Sequence, residues 1–443
     1  MGRPPAGFSA HAYLNRNLDS CEGKLFMSKV VIIGGGIIGL SSAWFLNKRG
    51  YQVTVVDRTD MLSGCSYGNA GYVCPSHFVP MATPGIVKQG LKWMMNSSSP
   101  FYIQPRLNYS LMDWGFKFIR SANKKHIERS AVPLRDIAVL SKNLYEQWSK
   151  DSSFNFNYSN SGLLEMFQTD ANAEHAHHTV EAAKELELEA YLLNKEQTQA
   201  LEPGTQLNVA GSIFFKCDAF LDPGRLMSNL LSSLEQSGVE LVKNDEVVKI
   251  ENSGNKIRAV ITSSGKHILA DSVVLAAGSW SREIGNMMGM RIPLVGGRGY
   301  SITLENSGFK LIHPAILTEG RVAITPLPGN RIRFGGTMEI TGMNSVPKYN
   351  RVKGIIAAVK DFIPSFTIDM PEKEKIWTGF RPCSADGLPY IGRSTRYKNL
   401  VIATGHSMLG LSLGAGTGKL VSDIIHESPL SIDIKAFNPE RFG

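Results

Sequence analysis

Four consecutive apolar residues, Val30 to Ile33, read as a short strand buried on both faces. The period then changes. Leu40 to Lys48 has helical character, with Leu40, Ala43, Trp44 and Phe45 along one side and Gly50 as its stop. Gln52 to Val56 is a second strand and ends at Asp57. Between the first strand and the helix stand Gly34, Gly36 and Gly39, at the spacing G-x-G-x-x-G. Strand, glycine turn, helix, strand and acid form one βαβ unit that fits a dinucleotide. Gly34 allows a tight turn, Gly36 lets backbone approach a pyrophosphate, and Gly39 lets the helix pack close to the strand. The helix N-terminus offers free N–H groups to phosphates, and Asp57 can accept hydrogen bonds from a ribose. The unit alone does not choose between FAD and NAD.

Two later apolar runs repeat the strand-to-glycine pattern, Val273 to Gly278 and Leu400 to Gly405. Ligands bind at the carboxyl ends of such strands in a doubly wound sheet. Between these runs the pattern is mixed. Helical periodicity marks 133–150, 170–201, Gly224 to Gly238, Tyr349 to Phe362 and a final helix from Thr417 to His426. Strand alternation marks 155–167, Gly211 to Phe215, Ala219 to Asp222, Val239 to Val242, Val247 to Glu251, Arg258 to Thr262 and much of 291–340. The expected architecture is α/β: a doubly wound Rossmann-type domain with an interleaved β-rich α+β substrate domain. The cofactor domain is drawn from 27–77, 205–290 and 375–443, and the substrate domain from 78–204 and 291–374. Residues 1–26 lack a signal-peptide core and are expected to be a disordered extension, with Met27 a more natural start.

Composition changes this picture little. A chain of 443 residues exceeds the size at which one core keeps growing, which agrees with two domains. Its net charge of +8 is spread along the sequence and indicates no nucleic-acid partner. No apolar run approaches the about 18 residues of a membrane span. The five cysteines are odd in number and include no C-x-x-C, which points to a reducing, cytoplasmic setting without disulfides or a metal centre. His175, His177 and His178 face different directions on a helix and read as a solvated face. Segment 78–120 interleaves Met, Trp, Phe and Tyr with Lys and Arg. It fits either a core-packing lid or a peripheral contact with the inner face of a membrane. Gly414 to Lys419 fails as a phosphate-binding P-loop, because its glycine spacing is wrong and Leu420 follows the lysine.

From Met27 to nearly its end, the chain resembles the FAD-dependent D-amino-acid dehydrogenases, within the wider glycine oxidase, sarcosine oxidase and D-amino-acid oxidase group. The resemblance is carried by SYGNAGYV (66–73), VPMATPG…LKWM (79–94), AAGSWS (276–281), GRGYSI (297–302), GGTMEI (335–340), GFRPCSADGLPYIG (379–392) and ATGHSMLGLSLGAGTGKLVSDI (403–424). It implies a non-covalent FAD held at its ADP half by Gly34, Gly36, Ile37, Ile38, Gly39, Asp57 and Arg58. Ser66, Asn69, Ala70 and Gly71 would meet the flavin end, and Val248 the adenine side through its backbone. Ala277, Gly278 and Trp280 would line the path between. Gly405, His406, Leu409, Gly410, Leu411 and Ser412 would place N–H groups near the flavin ring.

The implied substrate is a small amino acid, oxidised by hydride transfer to flavin N5, with electrons passed to a quinone or carrier. An oxidase using O2, a dehydrogenase of D-proline or D-hydroxyproline, and a flavin-binding subunit of a larger complex remain alternatives. Arg381 matches the position that binds the substrate carboxylate, which suits the bidentate fork of an arginine. Tyr300 could bond the same carboxylate or pack as a strand tyrosine. His406 could contact substrate or flavin, or be a satisfied loop histidine. Sarcosine oxidases attach FAD to a late cysteine, but the spacing from Cys383 to Asp386 does not fit that pattern, so Cys383 is expected to be a packed thiol.

Overall fold

The computed structural model describes residues 28–86, 100–104 and 106–443. The expected 1–26 extension and the LKWM piece at 91–94 lie outside them.

Lys29–Ile33, Gln52–Val56, Glu240–Val242, Ser272–Leu275 and Leu400–Thr404 form a parallel sheet, closed at one edge by the antiparallel strand Tyr390–Arg393. Lys29–Ile33 lies near the middle, between Ser272–Leu275 and Gln52–Val56. Helix Ile37–Lys48 is apolar on almost every side because it is covered on almost every side. Leu40 and Leu46 are fully buried, each contributing roughly 1.5–3 kcal/mol by leaving water. Helix Gly414–His426 crosses it so closely that a Cβ on Gly418 would lie 2.5 Å from Ser41, and one on Gly414 2.6 Å from Ile37. The glycine run of this last helix, which begins three residues before the expected Thr417, therefore serves helix packing. Helix Lys124–Ser149 completes this layer, with Ile137, Tyr145 and Trp148 in the same core.

Among the described residues a second sheet, of nine strands, is mostly antiparallel. Its long central strands are Leu294–Leu304, Arg331–Ile340 and Ile376–Ser384. Helix Asn350–Phe362 covers one face, with Val352, Ile355 and Phe362 packed against Tyr300, Ile302 and Phe334. The other face turns toward the first sheet. Two strands that the sequence pattern places in the cofactor pieces, Gly211–Phe215 and Ile376–Ser384, hydrogen-bond into this sheet. The expected helix over 170–201 is instead helix Asp170–Glu185, strand Ala190–Asn194 and helix Lys195–Leu201. Pairing with Gly211–Phe215 draws the middle piece out of the helix. Among the described residues no helix is long and apolar enough to cross a membrane.

Candidate active site

The two sheets enclose a cavity of about 1650 Å³, lined by the glycine turn, the loop after Asp57, and residues 276–280, 377–382, 403–404 and 406–412. At the glycine turn each expected role has a geometric counterpart. Gly34 has φ +112°, and a Cβ there would lie 2.4 Å from the Ala276 carbonyl oxygen. A Cβ on Gly39 would lie 1.8 Å from Gly34 O. A Cβ on Gly36 would meet only Ser66 Oγ, at 3.4 Å, so this glycine faces open cavity. The N–H groups of Gly36 and Ile38 donate to no protein acceptor among the described residues. Free donors at a helix N-terminus beside open space fit a pyrophosphate.

Asp57 does more than await a ribose. Its Oδ2 accepts from Gly35 N–H at 2.7 Å, and its Oδ1 accepts from Thr59 N–H and Oγ1–H at 2.8 and 2.7 Å. Ser66 Oγ accepts from Ile37 N–H at 2.9 Å, capping the helix from a loop 29 residues away in sequence. Arg58 stacks over Trp280, 4.9 Å from its ring centre. Ala277 and Gly278 lie on the cavity beside them. Val248 does not line the cavity: it is 48% exposed, and its buried neighbour Val247 takes the inward position.

The loop 66–71 is held by the second sheet. Asn69 Oδ1 accepts from Gly71 N–H at 2.9 Å. Thr325 Oγ1 donates to Ala70 O at 2.6 Å, and Arg333 Nη1 donates to Asn69 O at 2.7 Å. Thr325 and Arg333 escape sequence reading because their partners lie about 260 residues away and only sheet pairing brings them together. Gly71, Gly39 and Gly405 are not on the cavity surface; each sits where a Cβ would meet neighbouring atoms at under 3 Å. Leu409, Gly410, Leu411 and Ser412 line the wall, and the N–H groups of the last three have no protein acceptor among the described residues. They stand just before helix Gly414–His426 and offer donors to an electron-rich ring.

The three proposed catalytic residues divide. Arg381 lines the cavity, lying across Gly299, where a Cβ would be 2.0 Å from its Nη1. That nitrogen donates to Thr337 O at 2.7 Å. Thr337 has φ +66° and sits where the register between Leu294–Leu304 and Arg331–Ile340 shifts. Among the described residues no carboxylate pairs with Arg381, and burial holds its guanidinium below the usual arginine value. Cys65, missed in the sequence, lies beside it, its thiol pushed up to about 11 by burial.

Tyr300 does not share the face of the sheet from which Arg381 projects. Arg381 pairs with Gly297, and Tyr300 pairs with Thr378, an odd number of positions along. The Tyr300 ring is buried in the core under helix Asn350–Phe362. Its hydroxyl donates to Glu339 Oε2 at 2.6 Å and accepts from Lys348 N–H at 2.7 Å. Glu339 in turn pairs with Arg351 at 3.0 Å. Tyr300 also borders the cavity, but its hydroxyl, committed on both sides, is not poised for a substrate carboxylate, and its ring packs in the core. His406 reaches the cavity wall, but its Nε2 lies 3.0 Å from Thr417 Oγ1, and burial lowers its pKa to about 3. Burial keeps it neutral at ordinary pH, and its Nε2 is engaged by Thr417. Cys383 is fully buried against Met338 and Trp114, away from the cavity lining, with its thiol pushed up to about 12 by burial. His177 and His178 are exposed beside Glu181.

Residues 29–424 match the family of FAD dependent oxidoreductases designated DAO. The chain is 33% identical to a D-amino acid dehydrogenase of Helicobacter pylori over 399 residues, covering 89% of this chain and 94% of that protein. It is 31% identical to a D-amino acid dehydrogenase of Bradyrhizobium diazoefficiens, over 94% of this chain and 99% of the other. Among solved structures, glycine oxidase from Geobacillus kaustophilus superposes with a TM-score of 0.74 at 21% identity, covering 94% of this chain and 99% of that one. L-proline dehydrogenase from P. horikoshii gives 0.72 at 19% identity, covering 94% and 97%. At these identities the two structures speak for the fold.

Proposed function

Because this chain belongs to the DAO family of FAD-dependent oxidoreductases, we propose that it oxidises a small D-amino acid to the 2-oxo acid and ammonia. The observation that carries the reading is Arg381: a cavity-lining guanidinium with one carbonyl partner and no carboxylate among the described residues. A desolvated cation of this kind favours a ligand carboxylate, and its planar fork can hold one in a fixed orientation. Gly36, Ile37, Ile38, Asp57, Arg58 and Trp280 would hold the ADP half of FAD, and the 66–71 and 409–412 loops its ring. When bound, FAD supplies the hydride acceptor for the substrate α-carbon. The amine must arrive neutral; the imino acid formed is hydrolysed by water. The residues present supply orientation and exclusion of solvent, and none is required as a base. In this reading 27–77, 205–290 and 375–443 supply the cofactor unit and 78–204 and 291–374 the substrate unit, except that strands Gly211–Phe215 and Ile376–Ser384 pair into the second sheet and helix Lys124–Ser149 packs on the first.

A second observation supports an acceptor drawn from a membrane, such as a quinone. Helix Tyr109–Ser121 exposes Tyr109, Met112, Phe116 and Ile119 in a stripe at helical spacing, with Arg120, Lys124 and Lys125 exposed nearby. Trp114, Phe118 and Ile119 of the same helix line the cavity. An amphipathic helix with exposed bases fits an anionic bilayer surface. The residues 87–99 of this segment lie outside the described ones.

The decisive test is anaerobic bleaching of the bound flavin by a panel of D-amino acids. Bleaching by at least one small member is expected. A flavin that stays oxidised with every member would overturn both the substrate class and the role of Arg381. Mixing the reduced protein with air then separates acceptors, since rapid reoxidation with peroxide release would establish an oxidase.

A further inference from the structure

The loop beyond the flavin-facing segment runs Cys74-Pro-Ser-His77, and a turn in which His77 N–H donates to Cys74 O at 3.2 Å brings its two ends together. Across from it, the turn after strand Gly211–Phe215 carries Cys217 and Asp218. Cys74, His77 and Asp218 each offer a ligand atom, and these atoms lie within 4.8 Å of one another. Cys217 Sγ is 3.5 Å from Asp218 Oδ1. The sequence alone gave no sign of this cluster, since one C-x-x-H and a Cys-Asp pair some 140 residues on match no recognised spacing.

The basic group that faces Asp218 is the imidazole of His77, and burial raises the pKa of the carboxyl. The Asp218 side chain is fully buried, and among the described residues no lysine or arginine pairs with it. Buried carboxylates are ordinarily paired or bound to metal. Its oxygens are instead steered by Ser76, whose N–H donates to Oδ1 at 3.0 Å and whose hydroxyl donates to Oδ2 at 2.6 Å. The same hydroxyl lies 3.1 Å from His77 Nδ1, so one serine orients two prospective ligands. Supporting hydrogen bonds of this kind are what fix ligands in metal sites.

We propose that Cys74, His77 and Asp218, with Cys217 as the fourth ligand, bind one zinc ion. Two sulfurs, one imidazole nitrogen and one carboxylate oxygen make a four-coordinate set suited to Zn2+. Binding displaces the two thiol protons to solvent and gives the buried carboxylate its cation. The ion joins turn 74–77 to turn 215–218. Cys74 N–H also donates to Ser412 Oγ at 2.8 Å, so the joint supports the flavin-ring loop from behind. The role is a structural clamp, at a part of the wall where Ser76 and His77 line the cavity that Arg381 also lines.

The test uses the full-length flavoprotein, purified without chelator and dialysed against metal-free buffer. Elemental analysis is expected to find about one zinc per chain, and zinc K-edge absorption to show sulfur scatterers at about 2.3 Å. His77→Ala and Cys74→Ser are each expected to lower zinc content at least about tenfold, with bound flavin as the folding control. A parent protein that neither retains zinc nor takes it up from micromolar Zn2+ overturns the proposal, as does His77→Ala with undiminished zinc. If a variant loses flavin as well, the parent's K-edge spectrum decides: a sulfur shell supports the site, and a shell of oxygen and nitrogen only overturns it.

Discussion

Arg381 Nη1 donates to the carbonyl oxygen of Thr337 at 2.7 Å, and this contact sets where the guanidinium points. It consumes one of the five N–H donors of the group. The remaining donors have no carboxylate among the described residues, which leaves them for a ligand. Arg381→Ala should therefore weaken substrate binding while FAD stays bound. Charge-assisted hydrogen bonds are worth roughly 1.5–3 kcal/mol each, so a loss of about 10- to 1000-fold in kcat/KM is expected, most of it in KM. Arg381→Lys should recover only part, since a point charge cannot reproduce the fork. Unchanged steady-state kinetics in Arg381→Ala would remove the residue from the site.

Gly36 and Gly39 make a discriminating pair. A methyl group on Gly36 meets only Ser66 Oγ at 3.4 Å, so Gly36→Ala should fold but occupy the space left for a pyrophosphate. A methyl group on Gly39 would sit 1.8 Å from Gly34 O and must push the helix off its strand. Gly39→Ala should lower the yield of folded protein, whereas Gly36→Ala should give folded protein with weakened FAD affinity. Circular dichroism and flavin content, measured on both, separate the two effects. Equal flavin retention in Gly36→Ala and the parent would contradict this use of the turn.

Tyr300→Phe tests the corrected assignment of that residue. The change strands Lys348 N–H and removes one donor from Glu339. A buried group that loses its partner costs about 1–3 kcal/mol. Thermal stability should fall while KM for the amino acid stays within about twofold of the parent. A large rise in KM with unchanged stability would return Tyr300 to the substrate site.

What could be read from the sequence follows from how local each feature is. The βαβ unit is contained in 29 residues, and every part of its geometry lies near its partners in the chain. Arg381 was found through its Gly-Phe-Arg-Pro context. Tyr300 was misjudged because along a strand adjacent residues face opposite ways, and its ring takes the face opposite to Arg381. Val247 rather than Val248 lines the cavity, and Gly299 lies against Arg381. Thr325, Arg333 and the Cys74–Asp218 cluster were invisible because sheet pairing joins them across well over a hundred residues.

His406 makes a prediction about pH. Its folded-state pKa of about 3 lies below the ordinary value near 6.5 that it regains on unfolding. Its contribution to stability is whole above about pH 6.5 and is lost as pH falls toward 3, because only the unfolded chain takes up the proton. The slope in that window is about 1.4 kcal/mol per pH unit for one group. His406→Gln, which can still bond Thr417, should flatten the acid side of the stability profile relative to the parent. Denaturant unfolding of both proteins at pH 7 and pH 5 measures this. A difference between them that does not change with pH would show that His406 titrates normally.

The exposed stripe on helix Tyr109–Ser121 gives the last prediction. Met112, Phe116 and Ile119 are more than half exposed, although each is apolar, and they share one face of the helix. Transfer of such side chains from water into a bilayer interface is favourable in proportion to area, and each could contribute about 1 kcal/mol or more. Nearby bases would add attraction to anionic lipid that salt weakens. Met112→Ser, Phe116→Ser and Ile119→Ser combined should therefore lower co-sedimentation with vesicles containing phosphatidylglycerol by at least about tenfold. Met112→Ser with Phe116→Ser, which leaves the cavity-lining Ile119 in place, should keep flavin and reduction by substrate, since both side chains are exposed whereas Trp114 of the same helix is buried. Added salt should reduce binding of the parent before it reduces that apolar contribution. If the triple variant sediments with vesicles as fully as the parent, the stripe is not the membrane contact, and delivery of electrons to a bilayer acceptor loses its structural support.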